Sequence, residues 1–459
     1  MEFKLTDEQI NTIDLIKTNQ SVAVQAFAGS AKSTTAKEAC KSLSDPIYLC
    51  FNKHNVEDAK RMGLKAECKT THSLGYAGIK PRISSLVINT DKSAKIFKKL
   101  KLSGKLMPFQ AFWDTFRLHN LPLTESGAMQ VTDHIEGDLQ SSWVQRIQDI
   151  AALNTELYHE SGTIDYVDML WLPNLVREKG WLKCSNIIID EFQDTSELAI
   201  AMIKHAVGAN TPIIGLGDRK QCIMGFANCS PDAFAHTKKW EQAVLSVSFR
   251  CPQEVINVAN LAVPEIRAFR EGGSASYTEA LPESLESGSL ILGTKYAHIL
   301  PHYFERAFNG DSVALRGSEV LVQVSDAIGK QVKTIPDYYK AVASVTQNLV
   351  DQLERLPYTL GTTDKRNNLN AKIQALECAS AHFSSVEALA DFVKRTERMN
   401  KKHADYTFST VHRAKGSESN DVYLLNSLEL QEQAKEDEYA RRLFYVGVTR
   451  AKENITLVA

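Results

Sequence analysis

Ile187-Ile188-Ile189-Asp190-Glu191-Phe192-Gln193-Asp194-Thr195-Ser196 is the stretch from which the fold is read. Three β-branched apolar residues run into two adjacent carboxylates. That is the pattern of a strand buried on both faces of a parallel sheet. Such a strand delivers its acids to its carboxyl end, where ligands bind in open α/β sheets. In a nucleoside-triphosphate site, the first acid, Asp190, would hold Mg²⁺. The second, Glu191, would orient or deprotonate the attacking water. Surface strands also end in acids, so the reading requires a phosphate loop upstream.

Val22-Ala23-Val24-Gln25-Ala26-Phe27-Ala28-Gly29-Ser30-Ala31-Lys32-Ser33-Thr34 supplies one. A short apolar strand enters a turn of small residues, and Lys-Ser-Thr opens a helix. Backbone N–H groups from Ala28 to Thr34 would cradle phosphates, aided by the helix N-terminus. Lys32 would reach the β- and γ-phosphates, and the Ser33 hydroxyl would sit on Mg²⁺. The usual pattern is G-x-x-x-x-G-K-[ST]; here Ala26 and Ala31 replace its two glycines. Ala31 carries a Cβ where backbone approaches phosphate, and that Cβ disfavours positive φ. Weakened nucleotide affinity with retained turnover is the expectation. The competing reading of the loop is a helix N-terminus with a surface lysine.

The 459 residues suggest two to four domains, each with a real core. A net charge of −2 gives no global signature of nucleic-acid binding, so any such contact would be local. Eight cysteines without a C-x-x-C pair argue against a zinc site and a disulfide framework. The first residues lack the basic-then-apolar pattern of a secretory signal. No apolar run is long enough for a membrane span. A cytoplasmic location, in a phage or bacterial host rather than a nucleus, is the expectation.

Strand and helix signals alternate over residues 1–75, where Thr6 can cap a helix and Pro46–Phe51 reads as a second core strand. Residues 76–160 read as a helical insertion, rich in Lys, Leu and aromatics. Strands return over 161–242. A second strand-rich section covers 243–305 and 403–459, interrupted by polar helical stretches over 306–402. The simplest summary is an α/β chain with two parallel-sheet units, each carrying a mainly helical insertion.

The order of motifs resembles superfamily 1 helicases of the UvrD/Rep type, in the branch of the F-box DNA helicase and related phage proteins. Asp190-Glu191-Phe192-Gln193-Asp194-Thr195 is similar to that family's diagnostic acidic hexapeptide. Gln9 matches the glutamine that reads adenine, although a solvated helix residue is the alternative. Phe51-Asn52-Lys53 and Thr70-Thr71-His72 resemble two DNA-contacting segments. Gly217 to Phe226 resembles G-D-x-x-Q-x-I-Y-x-F/W, with Met224 in place of Tyr. By that match Gln221 would sense the γ-phosphate and Phe226 would stack on a base. Phe249-Arg250 resembles the family's Y-R pair, with Phe249 on adenine and Arg250 on the γ-phosphate. Thr410 to Glu418 matches T-x-H-x-A-K-G-x-E. Thr410, His412 and Arg413 would face DNA, and Glu418 would hold the nucleotide sugar. Val448-Thr449-Arg450 matches the last motif, with Arg450 as a second arginine on the γ-phosphate.

The resemblance implies two RecA-like motor domains, with ATP and Mg²⁺ bound in a cleft between them. It implies translocation on single-stranded DNA with 3′-to-5′ polarity, and unwinding at duplex junctions. Unidentified replication or recombination proteins would be partners, and no membrane would be involved. Lys32, Asp190, Glu191, Gln221, Arg250 and Arg450 would form the catalytic set. Two alternatives stay open: a catalytically inactive ATP- or DNA-binding regulator, and an unrelated NTPase or kinase with a phosphate loop.

Overall fold

The computed structural model describes residues 4–80, 83, 85–134, 139–223, 233–356, 360–399 and 404–459. Of these, 4–26, 31–245 and 360–364 form one compact unit. Residues 27–30, 246–356 and 365–459 form a second.

The first unit carries β1 (Val22–Ala26), β2 (Pro46–Cys50), β3 (Glu67–Thr70), β4 (Val87–Ile88), β5 (Thr163–Ile164), β6 (Asn186–Ile189), β7 (Ile213–Gly217) and β8 (Glu241–Leu245). Six of them form one sheet in the order β3-β2-β6-β7-β1-β8. Every neighbouring pair runs parallel. The interior strands β2, β6 and β7 are buried throughout, which explains their unbroken apolar runs. Edge strand β8 alternates instead, with Ala243 and Leu245 inward and Glu241, Gln242 and Val244 outward.

Between β3 and β6 the chain is mainly helical. Helix Leu106–Leu118 buries Phe109, Phe112, Trp113 and Phe116, and Trp143 packs edge-on against Phe109. Truncating one such ring to alanine costs roughly 3–5 kcal/mol. Helix Ile147–Ser161 stops at Gly162, whose φ of 63° is left-handed. A Cβ there would collide with the Ser85 carbonyl, so the glycine is required twice over.

The second unit carries β9 (Val247–Ser248), β10 (Arg267–Ala268), β11 (Ser274–Thr278), β12 (Ser289–Gly293), β13 (Val313–Leu315), β14 (Tyr406–Thr410), β15 (Ser419–Leu424) and β16 (Ala451–Val458). Its six-stranded sheet runs β11-β16-β15-β12-β14-β13, again all parallel. Four long helices lie between β13 and β14: Glu319–Val332, Tyr338–Arg355, Leu360–His382 and Val386–Met399. Helix Glu319–Val332 turns Val320, Leu321, Val324 and Ile328 inward, the spacing of one helical face.

Three local expectations change. Ala243–Leu245 was expected to open the second strand-rich section, yet β8 hydrogen-bonds to β1, with Ala243 opposite Val24. Val313–Leu315 was expected within a helical stretch, yet it adds an edge strand to the second sheet beside β14. Val87–Ile88, inside the first helical insertion, pairs with Thr163–Ile164. Each is short or half-exposed, so its partner rather than its own pattern makes it a strand. Among the described residues, no helix is long and apolar enough to cross a membrane.

Candidate nucleotide site and nucleic-acid-facing segments

Parallel strands place their following residues along one sheet edge. Asp190 and Glu191 follow β6, and the helix Lys32–Cys40 begins just after the loop that follows β1. Ala31, the N-cap of that helix, sits at φ 55°, ψ 36°. This is the left-handed conformation that a glycine takes freely and that costs other residues about 1–2 kcal/mol. The helix holds it there: Thr35 N–H donates to the Ala31 carbonyl at 3.0 Å. Ala31 offers no side-chain cap, so the first-turn N–H groups of Lys32, Ser33 and Thr34 point at whatever lies before the helix. In the loop itself Gly29 is left-handed at φ 72°. The Ser30 hydroxyl is buried, with no hydrogen-bond partner among the described residues.

Lys32 Nζ lies 2.7 Å from Glu191 Oε1 and 3.4 Å from Asp190 Oδ1. Burial works against its charge, but the two acids outweigh burial and hold the lysine above its ordinary range. Burial, reinforced by the neighbouring Glu191, pushes Asp190 upward, against the pull of Lys32. Glu191 itself is left-handed, at φ 50°. Strained non-glycine backbone of this kind concentrates at functional sites. An uncapped helix start, a lysine and two carboxylates suit a Mg²⁺–triphosphate. Mg²⁺ is typically held by one or two carboxylates plus substrate phosphates, not by a protein cage.

A polar chain leads away from Glu191. Gln193 Nε2 donates to Glu191 Oε2 at 2.6 Å, and Gln193 Oε1 accepts the Asp218 N–H at 2.9 Å. Asp218 in turn accepts from Gln221 Nε2 and from Gln25 Nε2, each at 2.8 Å. Thus Gln221 joins Asp190, Glu191 and Lys32 in one connected set. Gln193, Asp218 and Gln25 were given no role by sequence reasoning. Gln193 and Asp218 stand inside the two motif strings, a usable signal; Gln25 had none. Gln9 is buried rather than solvated. It completes a capping box with Thr6 and donates to Thr35 Oγ1 at 3.1 Å. It is thereby tied to the helix that Lys32 opens.

The two expected DNA-facing segments of this unit follow adjacent strands, with Cys50 opposite Thr70. Phe51 is exposed, while Asn52 and Thr70 each cap the helix that follows, Asn52 through Asn55 N–H and Thr70 through Ser73 N–H. Lys53 and His72 are exposed in the first turns of those helices. Phe226 lies outside the described residues.

In the second unit, Arg250 Nε binds Glu418 Oε2 at 2.8 Å, and Nη1 reaches the Thr449 carbonyl at 3.2 Å. Arg450 is almost fully buried. Its Nε donates to the Val446 carbonyl at 2.9 Å and its Nη1 to the Ser417 carbonyl at 3.2 Å. The two arginines therefore share the Ser417–Glu418 and Thr449 backbone region. Phe249 packs against Phe269 at 4.6 Å between ring centres. Thr410 ends β14 and its hydroxyl accepts the Arg413 N–H at 3.4 Å. His412 Nε2 meets the Tyr439 hydroxyl at 2.6 Å. Burial, with Lys415 nearby, lowers the His412 pKa to about 4, so it is neutral at pH 7. Arg413 is exposed, with Nη1 4.0 Å from Glu319.

Two six-stranded parallel sheets with flanking helices define an α/β protein, with a lysine-bearing loop after the first strand and paired acids after β6. A family model, the UvrD-like helicase C-terminal domain, matches residues 2–459, and the chain belongs to that family. It is similar to a "Probable DNA helicase II homolog" of Mycoplasma genitalium, 23% identical over 337 residues, covering 66% of this chain and 46% of the relative. It is also similar to the "ATP-dependent DNA helicase Rep" of Buchnera aphidicola subsp. Schizaphis graminum, 25% identical over 281 residues, covering 51% and 40%. The chain spans less than half the length of these curated relatives. Among solved structures, arterivirus nonstructural protein 10, a helicase, aligns with a TM-score of 0.37 at 10% identity, covering 97% of this chain and 62% of that one.

Proposed function

We propose that this chain is an ATP-driven motor that moves on single-stranded DNA and unwinds duplex DNA, with 3′-to-5′ polarity taken from the family resemblance. The observation that carries the reading is the contact of Lys32 with Glu191 and Asp190 on strained backbone, at the sheet edge of a UvrD-like family member. Lys32 and the first-turn N–H groups bind the phosphates. Asp190 and Ser33 would hold Mg²⁺, which would supply charge neutralisation at the phosphate oxygens. Glu191 takes a proton from water as the water oxygen bonds the γ-phosphorus. The bond from that phosphorus to the bridging oxygen breaks, and ADP and phosphate result. Gln221 senses the γ-phosphate. Arg250 and Arg450 stabilise charge spread over its equatorial oxygens. Gln9 and Phe249 recognise adenine, and Glu418 the sugar. Phe51, Asn52, Lys53, Thr70, His72, Phe226, Thr410, His412 and Arg413 face the DNA strand.

One observation favours a second reading. Ala31 holds a left-handed conformation where the family pattern has glycine, and that suits a regulator which binds ATP or DNA without turnover. Steady-state ATP hydrolysis with and without single-stranded DNA separates the two. The motor reading expects strong DNA stimulation that Glu191→Gln lowers by about 10²–10⁴-fold. ATP binding without hydrolysis in the unmodified chain would overturn it. Strand displacement from 3′- and 5′-tailed duplexes then tests unwinding and polarity.

A further inference from the structure

Glu191 has two carboxylate oxygens, and the structure gives each a different partner. Lys32 Nζ sits on Oε1 at 2.7 Å and Gln193 Nε2 on Oε2 at 2.6 Å. We infer that Gln193 is a positioning residue which clamps Glu191 through Oε2, reserves Oε1 for water, and links it through Asp218 to Gln221. The inference rests on the motor reading above and adds a residue and a division of labour to it.

The amide orientation of Gln193 is fixed by its neighbours. Its nitrogen faces two carboxylates, Glu191 Oε2 and, at 3.4 Å, Asp194 Oδ2. Its oxygen faces the Asp218 N–H. Turning the amide over would set a carbonyl against two acids and an N–H against an N–H. The side chain is buried, so neither loss would be made good by water. Gly217 supplies independent evidence that the fold makes room for this amide. A Cβ on Gly217 would overlap Gln193 Oε1 and stand 3.0 Å from the Gln193 backbone nitrogen. The close approach of β7 to Gln193 therefore needs a residue without a side chain.

Lys32 is the mobile half of the arrangement. A triphosphate draws its ammonium to the phosphate oxygens and away from Oε1, while Gln193 keeps its hold on Oε2. The base becomes available when its substrate is bound, without a change in the orientation of the carboxylate. On the other side of the amide, Asp218 holds Gln221 Nε2 at 2.8 Å. A shift of Gln221 toward a γ-phosphate would act on Glu191 through two hydrogen-bonded side chains.

The test uses the full chain with ATP, Mg²⁺ and oligo-dT, comparing wild type, Gln193→Ala and Gly217→Ala. A base misplaced by about an ångström loses on the order of 10²-fold in rate. Both variants are expected to lose about that factor in kcat. KM for ATP and binding of a fluorescent ATP analogue should stay near wild type, with rates compared per folded molecule because each variant disturbs a buried contact and lowers the melting temperature. The ratio of DNA-stimulated to basal turnover should also fall. Wild-type kcat and stimulation in a folded Gln193→Ala would overturn the inference and leave the motor reading standing. Loss of nucleotide binding in proportion to kcat would overturn it too, since Gln193 would then serve the loop rather than the base. A wild-type chain with no turnover would sink the motor reading and the inference with it.

Discussion

Two lysines of the first unit are paired with carboxylates, in contrasting surroundings. Lys32 meets Glu191 and Asp190 at the sheet edge, with side chains 16%, 28% and 12% exposed. Lys92 meets Asp168 at 2.6 Å inside the helical insertion, where both are fully buried. Arg117 closes that second cluster, binding Asp168 at 2.9 Å, Asp165 at 2.8 Å and Asp114 at 2.7 Å, while Asn154 donates to Asp168. Burial opposes the Arg117 charge, yet Asp165, Asp168 and Asp114 keep it protonated. Perturbed ionisation occurs in both places, so it does not by itself mark a working site. Backbone and access do. The Lys32 cluster includes left-handed Glu191 and adjoins left-handed Ala31, and it opens to solvent. The Lys92–Asp168 pair has ordinary backbone and no exposed side-chain surface, and only Asp114 and Asp165 at the rim of its cluster reach solvent. Lys32 is left reachable, whereas Lys92, which joins two helices, is sealed.

The contrast can be broken most sharply at Glu191. Glu191→Gln is expected to remove about 10²–10⁴-fold of DNA-stimulated hydrolysis while the melting temperature barely moves. A large loss of stability with unchanged rate would make the Lys32 cluster a structural one. Asp168→Asn should do the reverse. It leaves Lys92 and Arg117 short of a buried counter-charge, at a cost of about 3–5 kcal/mol. Urea unfolding would show this, with ATP turnover per folded molecule preserved. Ala31→Gly should stabilise the chain by about 1 kcal/mol, by relieving the left-handed strain, and should tighten ATP binding. Unchanged affinity and rate would remove Ala31 from the argument.

The smallest effect concerns pH. Burial, with His134 stacked at 3.7 Å, lowers the His119 pKa from 6.5 to about 4. Glu197 lies 3.8 Å from His119 and 3.9 Å from His236. The unfolded chain binds that proton more tightly, so the His119 contribution is full above 6.5 and is lost as pH falls toward 4. Melting temperatures across that window should decline less steeply in His119→Gln. An identical slope would show that the acid sensitivity lies elsewhere.

Much of the candidate site was legible because phosphate chemistry restricts which residues can serve and where. Ile187–Ile189 ahead of Asp190 announced a buried parallel strand, and Lys32 after a small-residue turn announced a helix start. The strain at Ala31 was foreseeable from the missing glycine. The bridge through Gln193 was not, because an amide inside a motif string shows neither its partner nor its orientation. Nor was the Lys92–Asp168 pair, whose members stand far apart in the chain and carry no spacing signal.

By itself the sequence determined an α/β fold with parallel sheets and pointed to the residues proposed to handle phosphate. Strand burial, helix capping and turn chemistry are local, and their patterns repeat over a few residues. Tertiary structure alone decided that Glu241–Leu245 completes the first sheet and Val313–Leu315 the second. It alone set which acid faces Lys32 and which faces Lys92. Edge strands and buried charges are defined by partners distant in the chain, and only the folded backbone brings those partners within hydrogen-bonding reach.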